Sequence, residues 1–509
     1  MGGAEMTVFL GSTFCGTPWG ARVHNCTPLD QHLAGTTNVL ASRDTSQSWR
    51  YMMGNQTRFD LPQSRLPEAW YNLNADMPVP MVPPLHPETK EPVTPEFLSV
   101  LSPMALLGQD VSPDAEIEIP EPVRDIYRLW RPTPLFRARR LEQHLETCAH
   151  IYYKYEGVSP VGSHKPNTAV PQAFFLKDEG GKCFTTETGA GQWGSALAMA
   201  CNFFDLGCEV YMVRVSYDQK PYRRHVMESF GATVYPSPSM NTAAGQSLLE
   251  ANPDHPGSLG VAISEGIEAA VTSGGEKKYS LGSFLPHVLL HQTVIGLEAL
   301  EQMEMAGEYP DVVIGCAGGG SNFSGIAFPF LRENLRNQRT TRIVAVEPAA
   351  CPSLTRGTYT WDNADVIGMA PIIKMHTLGH TFIPPRIHAG GLRYHGMSPQ
   401  VSALVDSGYV EAQAIDQVDT FEGGVMFAQT EGILPAPESN HAVRAAINEA
   451  VACRETGDEK VILFNLSGHG NFDMAAYGAY SDGTLERYEY PESAIAEAMN
   501  HLPEVDFPG

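Results

Sequence analysis

The 509-residue sequence lacks a CxxC pair, a heptad run and an internal repeat of about 20–50 residues. It also lacks any uninterrupted apolar stretch near the ~20 residues that cross a bilayer, so no membrane association is expected. Its nine cysteines (Cys15, Cys26, Cys148, Cys183, Cys201, Cys208, Cys316, Cys351 and Cys453) are odd in number and scattered. They read as free thiols in a reducing compartment, not as a disulfide framework or a thiolate zinc site. Basic residues are scarce, with 34 Lys and Arg against 58 Asp and Glu, which gives a formal charge of −24. The pairs Arg139–Arg140, Arg223–Arg224 and Lys277–Lys278 are too short to form a basic stripe, which excludes a general nucleic-acid binder and points to a small-molecule ligand. A cationic segment followed by an apolar one is missing from MGGAEMTVFLGSTFCG, so a secretory signal is not expected and the cytoplasm is the default compartment. Residues 1–57 hold only Glu5, Asp30 and Asp44 as acids, which leaves an organelle presequence, as for a plastid, open even though arginine is sparse.

What is present is a globular composition, 43% hydrophobic and 18% charged, on a chain long enough for more than one folded unit. Residues 1–57 show weak periodicity and are expected to be an extension with little structure of its own. Residues 58–130 form a proline-rich arm that ends in helices, expected at Pro95–Leu101 and Val123–Leu129. RPTPLFRARRLEQHL then reads as a turn and an amphipathic helix. From Ala149 strands alternate with helices, and residues 131–509 are expected to form the core. The strands are Ala149–Glu156, Cys183–Glu187, Cys208–Val215, Thr233–Tyr235, Asp311–Cys316, Arg342–Glu347 and Lys460–Leu466. Short apolar strands between amphipathic helices imply an α/β fold with parallel sheets covered on both faces.

Four constellations carry chemistry. Lys165, in GSHKPN, stands between a strand and a helix, where a side chain projects from the carboxyl edge of a parallel sheet. A lysine there can form a Schiff base if burial lowers its pKa, although alone it would be read as a surface lysine at a helix start. The run GCAGGGSN puts three glycines after a buried strand and before a helix expected to begin near Phe323, a geometry that binds a monophosphate through backbone N–H groups. It matches neither the dinucleotide nor the ATP fingerprint. ETGAGQW offers the N–H groups of Gly189, Ala190, Gly191 and Gln192 to a carboxylate, with Glu187 beside them for proton transfer. Ser467 ends a buried strand in LSGHGNFDM, where its hydroxyl can meet a ring nitrogen.

From about Phe59 onward the chain resembles the β-subunit of tryptophan synthase, specifically the second type of that chain. The resemblance rests on GSHKPN, ETGAGQWG, KPYRR (Lys220–Arg224), GGGSN, HAGGLRYHGM (His388–Met397), EGILPAPESNHA (Glu431–Ala442) and LSGHGNFDM, in that order. It implies a fold type II pyridoxal 5'-phosphate enzyme, with two open parallel-sheet subdomains and the cofactor in the cleft between them. It further implies a β-replacement that joins indole to L-serine. On the resemblance Lys165 holds the cofactor and moves the α-proton, and Glu187 serves the leaving hydroxyl and then the indole N–H. Gly318, Gly319, Gly320, Ser321 and Asn322 take the phosphate, helped by His164, while Ser467 faces the pyridine nitrogen with Gln192 and Glu438 near the cofactor. Thr188, Gly189, Ala190, Gly191, Gln192 and Arg393 then fall to the substrate. A neutral serine at the ring nitrogen favours elimination and replacement over transamination.

Two departures from the common β-chain belong to the second type: Trp193 stands where a histidine is usual, and Arg393 where the mobile lid has an aspartate. Arg393 is therefore expected to act on the substrate side without an α-chain, and a homodimer is expected from the resemblance. A monovalent cation is a further cofactor of related enzymes, with no residue here that identifies its site. His376 and His380 have helical i, i+4 spacing but no third ligand, so no metal site is assigned. O-phosphoserine as donor, another nucleophile, or simple serine deamination remain as alternatives within the same chemistry.

Overall fold

In the computed structural model of the chain, residues 56–507 are described, apart from Lys220 and Glu489. The expectation for residues 1–57 therefore falls almost wholly outside the described residues, as does the first residue of KPYRR. Two sheets position everything that follows. The larger has seven strands in the order Arg58–Phe59, Leu135–Arg137, His150–Tyr155, Val461–Leu466, Val312–Cys316, Arg342–Pro348 and Glu411–Ile415. Leu135–Arg137 pairs antiparallel with both of its neighbours, and the five strands from His150–Tyr155 to Glu411–Ile415 are parallel. The smaller is wholly parallel, in the order Thr233–Ser237, Gly207–Val213, Cys183–Thr188 and Lys277–Ser280.

Burial explains the strand order. Every residue of Val312–Cys316 is buried, so this uncharged strand sits inside the larger sheet, between Val461–Leu466 and Arg342–Pro348. Ile314 pairs with Phe464 and Phe464 with Tyr153, so the three central strands are in step and their following loops emerge side by side. Those loops begin at Ala317, Ser467 and Glu156, and in the smaller sheet the matching ends are Thr188 and Ser280. Helix Ser321–Leu335 is buried from Ser321 to Leu331 and opens to water only in its last turn. It begins two residues before the expected Phe323.

The arm is extended, as its prolines suggest, and stays tied to the body. Arg58–Phe59 completes the edge of the larger sheet, and the Tyr71 N–H donates to Thr293 Oγ1 at 3.0 Å. The helix Met104–Val111 and the strands Leu135–Arg137 and Lys277–Ser280 were not legible in the sequence pattern. The HTLGH reading is corrected: His376 lies in strand Ile372–Thr377, so the pair is not on a helix face. The His376 ring stacks on Tyr359, whereas His380 Nδ1 meets Asp362 Oδ1 at 2.6 Å. Among the described residues no helix is long and apolar enough to cross a membrane, and no three His, Cys, Asp or Glu side chains gather as metal ligands.

Beneath the lysine loop lies a wholly buried charge network. Arg131 donates to Glu298 and Glu156, each at 2.9 Å, and to Asn167 Oδ1 at the same distance. The Asn167 amide donates in turn to Glu156 at 3.0 Å and Gln292 at 3.1 Å. The asparagine of SHKPN is thus an anchor. Removing it would leave buried charges short of partners, at a cost of about 1–3 kcal/mol.

Candidate active site

Lys165 closes the turn before helix Pro166–Asp178, where Pro166 occupies the first helical position and gives up only an N–H that has no helical partner. Its ammonium reaches across to the smaller sheet, where Nζ meets the Gly282 carbonyl at 3.3 Å and lies 5.9 Å from the centre of the Trp193 ring. The residue lies deep in the protein but keeps accessible surface, because it opens into a pocket. Burial holds its pKa below the ordinary lysine value, against the opposing pull of Glu187 and Glu438.

Glu187 lines the same pocket. Burial pushes its carboxyl up to about 7, partly offset by the Tyr279 hydroxyl, which donates to Oε2. A carboxyl with that pKa exchanges its proton at neutral pH. The turn after it is built as its glycines suggest: Gly191, at φ +92°, starts helix Gln192–Phe203, and Thr188 Oγ1 accepts from the Gly194 N–H at 3.1 Å. Trp193 forms the floor, with Nε1 donating to Thr186 Oγ1 at 2.7 Å. Leu259, Ile263, Leu281 and Phe284 supply apolar walls.

A second pocket adjoins the first and shares Lys165, Gln192, Ser283, Gly319 and Gly391 with it. Gly318, Gly319, Gly320, Ser321 and Asn322 line it together with His164, Glu438 and Ser467. A Cβ on Gly318 would sit 2.6 Å from the Gly391 carbonyl oxygen, so that position requires glycine, and one on Gly319 would sit 2.7 Å from Ser283 Oγ and displace that side chain. Among the described residues the buried Asn322 side chain has no hydrogen-bond partner for either Nδ2 or Oδ1. An unpartnered buried amide at the start of a helix, behind three glycines, fits the phosphate of pyridoxal phosphate.

His164 ties this cradle to Ser467. Its backbone N–H donates to Ser467 Oγ at 3.0 Å, Nδ1 lies 2.6 Å from the same oxygen, and Nε2 lies 3.1 Å from Ser321 Oγ. Burial, with Lys165 adjacent, lowers the imidazole to about 3, so it is neutral. If Ser467 Oγ donates its proton to Nδ1, the neutral ring carries its own proton on Nε2, facing the cradle. Glu438 links the two pockets: Oε1 accepts from the Gly391 N–H at 2.9 Å and Oε2 from Gln192 Nε2 at 3.2 Å.

The structure therefore brings together Lys165, Glu187, the Thr188–Gln192 turn, the glycine cradle, His164, Glu438 and Ser467. It does not bring Arg393 to either pocket. That side chain is 8% exposed and donates to the Pro384 carbonyl at 2.8 Å, while its neighbours Gly390, Gly391 and Tyr394 do the lining. Tyr279, Gly282 and Ser283 were missed by sequence reasoning. Tyr279 lies in a four-residue strand with two lysines and the other two come just after it, and YSLGS offers neither alternation nor a recognisable phosphate loop.

A lysine and a proton-exchanging carboxyl on one pocket, beside a glycine cradle at the carboxyl ends of the parallel strands of two sheets, define the class. The family model described as pyridoxal-phosphate dependent enzyme matches residues 126–468. The fold also resembles a fungal L-serine ammonia-lyase from Rhizomucor miehei, with a TM-score of 0.50 and 15% identity over 69% of this chain and 97% of that one. Among curated relatives, the tryptophan synthase beta chain 2 of Aquifex aeolicus is 60% identical over 84% of this chain and 99% of its own. Its counterparts in Methanosarcina acetivorans and Thermotoga maritima are 56% and 58% identical, covering 97% and 99% of their own lengths and 84% and 82% of this chain. The chain belongs to the tryptophan synthase β-chain family, in its second type, and its cofactor is pyridoxal phosphate.

Proposed function

We propose that the protein joins indole to the β-carbon of L-serine, giving L-tryptophan and water. The observation that carries this reading is that Lys165 Nζ and the Glu187 carboxyl open into a single pocket whose other walls are mostly apolar. When bound, pyridoxal phosphate supplies the electron sink for the pair left at the serine α-carbon. Lys165 would hold it, the Gly318–Asn322 cradle with His164 Nε2–H would take its phosphate, and Ser467 Oγ would face its ring nitrogen. Lys165 Nζ, kept low in pKa by burial, takes the α-proton. Glu187 is protonated often enough near neutrality to hand its proton to the departing serine hydroxyl, and once ionised it accepts from the indole N–H. The Thr188–Gln192 turn orients the substrate carboxylate at a helix N-terminus. Trp193 and the aliphatic walls keep water from competing with indole.

On this reading the protein acts as a homodimer in the cytoplasm and needs no α-chain. Since Arg393 is engaged by Pro384, a role for it on the substrate requires the closing segment to rearrange. The test is to incubate the holoenzyme with L-serine, with and without indole, and to quantify tryptophan, pyruvate and ammonia. Tryptophan is expected with indole, at a rate that an added α-chain does not change. Pyruvate and ammonia as the main products whether or not indole is present would overturn the reading.

A further inference from the structure

Phe284 adopts φ +78°, in the left-handed region where a bulky L-residue is an outlier. The Leu285 N–H donates to the Ser283 carbonyl at 2.9 Å, across Phe284, so the residue is the centre of a three-residue γ-turn of the rare positive-φ kind. Such strain persists only where the surroundings over-determine it, and it gathers at functional sites. Here it sits 2% exposed in the wall of the pocket that holds Lys165 and Glu187.

The turn divides a short segment between two tasks. The Gly282 carbonyl accepts from Lys165 Nζ, and Ser283 Oγ accepts from the Ser321 N–H at 3.2 Å on the cradle side. One residue later the reversed chain sends the Phe284 ring to the other pocket, edge-on to Tyr394 with centroids 5.5 Å apart and planes at 86°. Tyr394 is itself fixed, its hydroxyl donating to the Ala364 carbonyl at 2.7 Å. An ordinary extended or helical backbone at 284 would not reverse the chain between the serine and the ring. Glycine would make the turn without strain but would leave the wall open.

Building on the proposed indole reaction, we propose that Phe284 is a specificity-determining residue: its ring, held by the γ-turn and by Tyr394, sets the largest acceptor that the pocket admits. Rejection by a full hydrophobic wall is steric, and removing the wall admits acceptors with substituents on the six-membered ring.

The test is a competition between indole and a ring-brominated indole, with L-serine and holoenzyme, read as the ratio of brominated to plain tryptophan. Phe284→Gly keeps the turn and removes the ring, and the ratio is expected to rise at least about tenfold, the scale on which a methylene-sized change in an apolar pocket discriminates. Because each ratio is internal to one enzyme, a general loss of rate cancels. Phe284→Leu keeps part of the bulk and should move the ratio in the same direction by less, which secures the test if the glycine variant folds poorly. Phe284→Tyr should leave it near the wild-type value. A wild-type ratio in both the glycine and leucine variants overturns the proposal while the tryptophan reading stands. Failure of the wild-type enzyme to form any tryptophan from indole strikes the parent reading instead and removes this one with it.

Discussion

Two lysines, Lys154 and Lys165, lie eleven positions apart in the chain and deep in the same protein, and burial lowers the pKa of both. Their partners differ. Lys154 Nζ is saturated, donating to the Thr133 carbonyl at 2.5 Å and to Glu298 Oε2 and Gln302 Oε1 at 2.7 Å each. Among the described residues Lys165 Nζ has one carbonyl, at 3.3 Å, and a pocket in front of it. A lowered pKa marks desolvation in either case. The unfilled coordination of Lys165 marks the reactive one. The remaining charges sort the same way: Glu298 and Glu156 are held by arginine, lysine, threonine and asparagine, whereas Glu187 keeps a proton that it can lose.

Exchanging the two lysines' fates is the strongest way to break this comparison. Lys165→Ala should reduce tryptophan formation by about 10³-fold or more, because the covalent anchor and the proton carrier go together. It should leave the unfolding midpoint of the cofactor-free protein unchanged or raised, since a poorly solvated amine is removed. Parallel measurements of turnover and of apoprotein denaturation check both halves. Lys154→Met should do the reverse. Removing one member of a buried pair costs about 3–5 kcal/mol, visible in urea unfolding, while turnover per folded molecule stays near that of the unaltered enzyme.

The Glu187 carboxyl sharpens the contrast through pH. Its pKa rises from 4.5 to about 7 on folding, so its contribution to stability is fully present below 4.5 and is lost as pH climbs through 7. Glu187→Gln removes that titration and should become more stable than the parent by up to about 3 kcal/mol above neutrality. The same variant should lose about 10²-fold in rate and the ionisation near 7 in its rate profile. Melting curves at several pH values, set beside the profile, decide. A stability advantage over the parent no larger at pH 8 than at pH 5 would mean that this carboxyl is better solvated than its burial indicates.

How much of this was legible depended on how local the information was. Lys165, Glu187 and the glycines of the cradle each sit within a short motif that follows an apolar strand, and the structure converges them because parallel strands in register release their loops at one edge. The saturated network was not legible, since Arg131 and Glu298 are separated by 167 positions and neither has a distinctive neighbourhood. Phe284 and Tyr279 were invisible for a related reason: one depends on a backbone angle and the other on a strand too short to show alternation. Arg393 could be placed in a loop by its motif, but the direction of its side chain is set by the Pro384 carbonyl, which no spacing rule supplies.

The smallest expected effect comes from Glu438, which belongs to both halves of the comparison. Its carboxylate is well hydrogen-bonded, through the Gly391 N–H and Gln192 Nε2, yet it lines the cradle and its charge raises the pKa of Lys165. Glu438→Gln preserves shape and the Gly391 contact, and Gln192 can rotate its amide to present an oxygen to the new NH2 group. What remains is the loss of one negative charge near Lys165, so the lysine should titrate lower and activity fall by only about three- to tenfold, equivalent to about 1 kcal/mol. The pH dependence of the visible absorbance of the bound cofactor reads protonation of the Lys165 nitrogen in its linkage to that cofactor. A downward displacement in Glu438→Gln, with the melting temperature maintained, would show that the under-partnered lysine is tuned by a carboxylate it does not touch. An unchanged titration would leave burial and Glu187 as what sets its pKa.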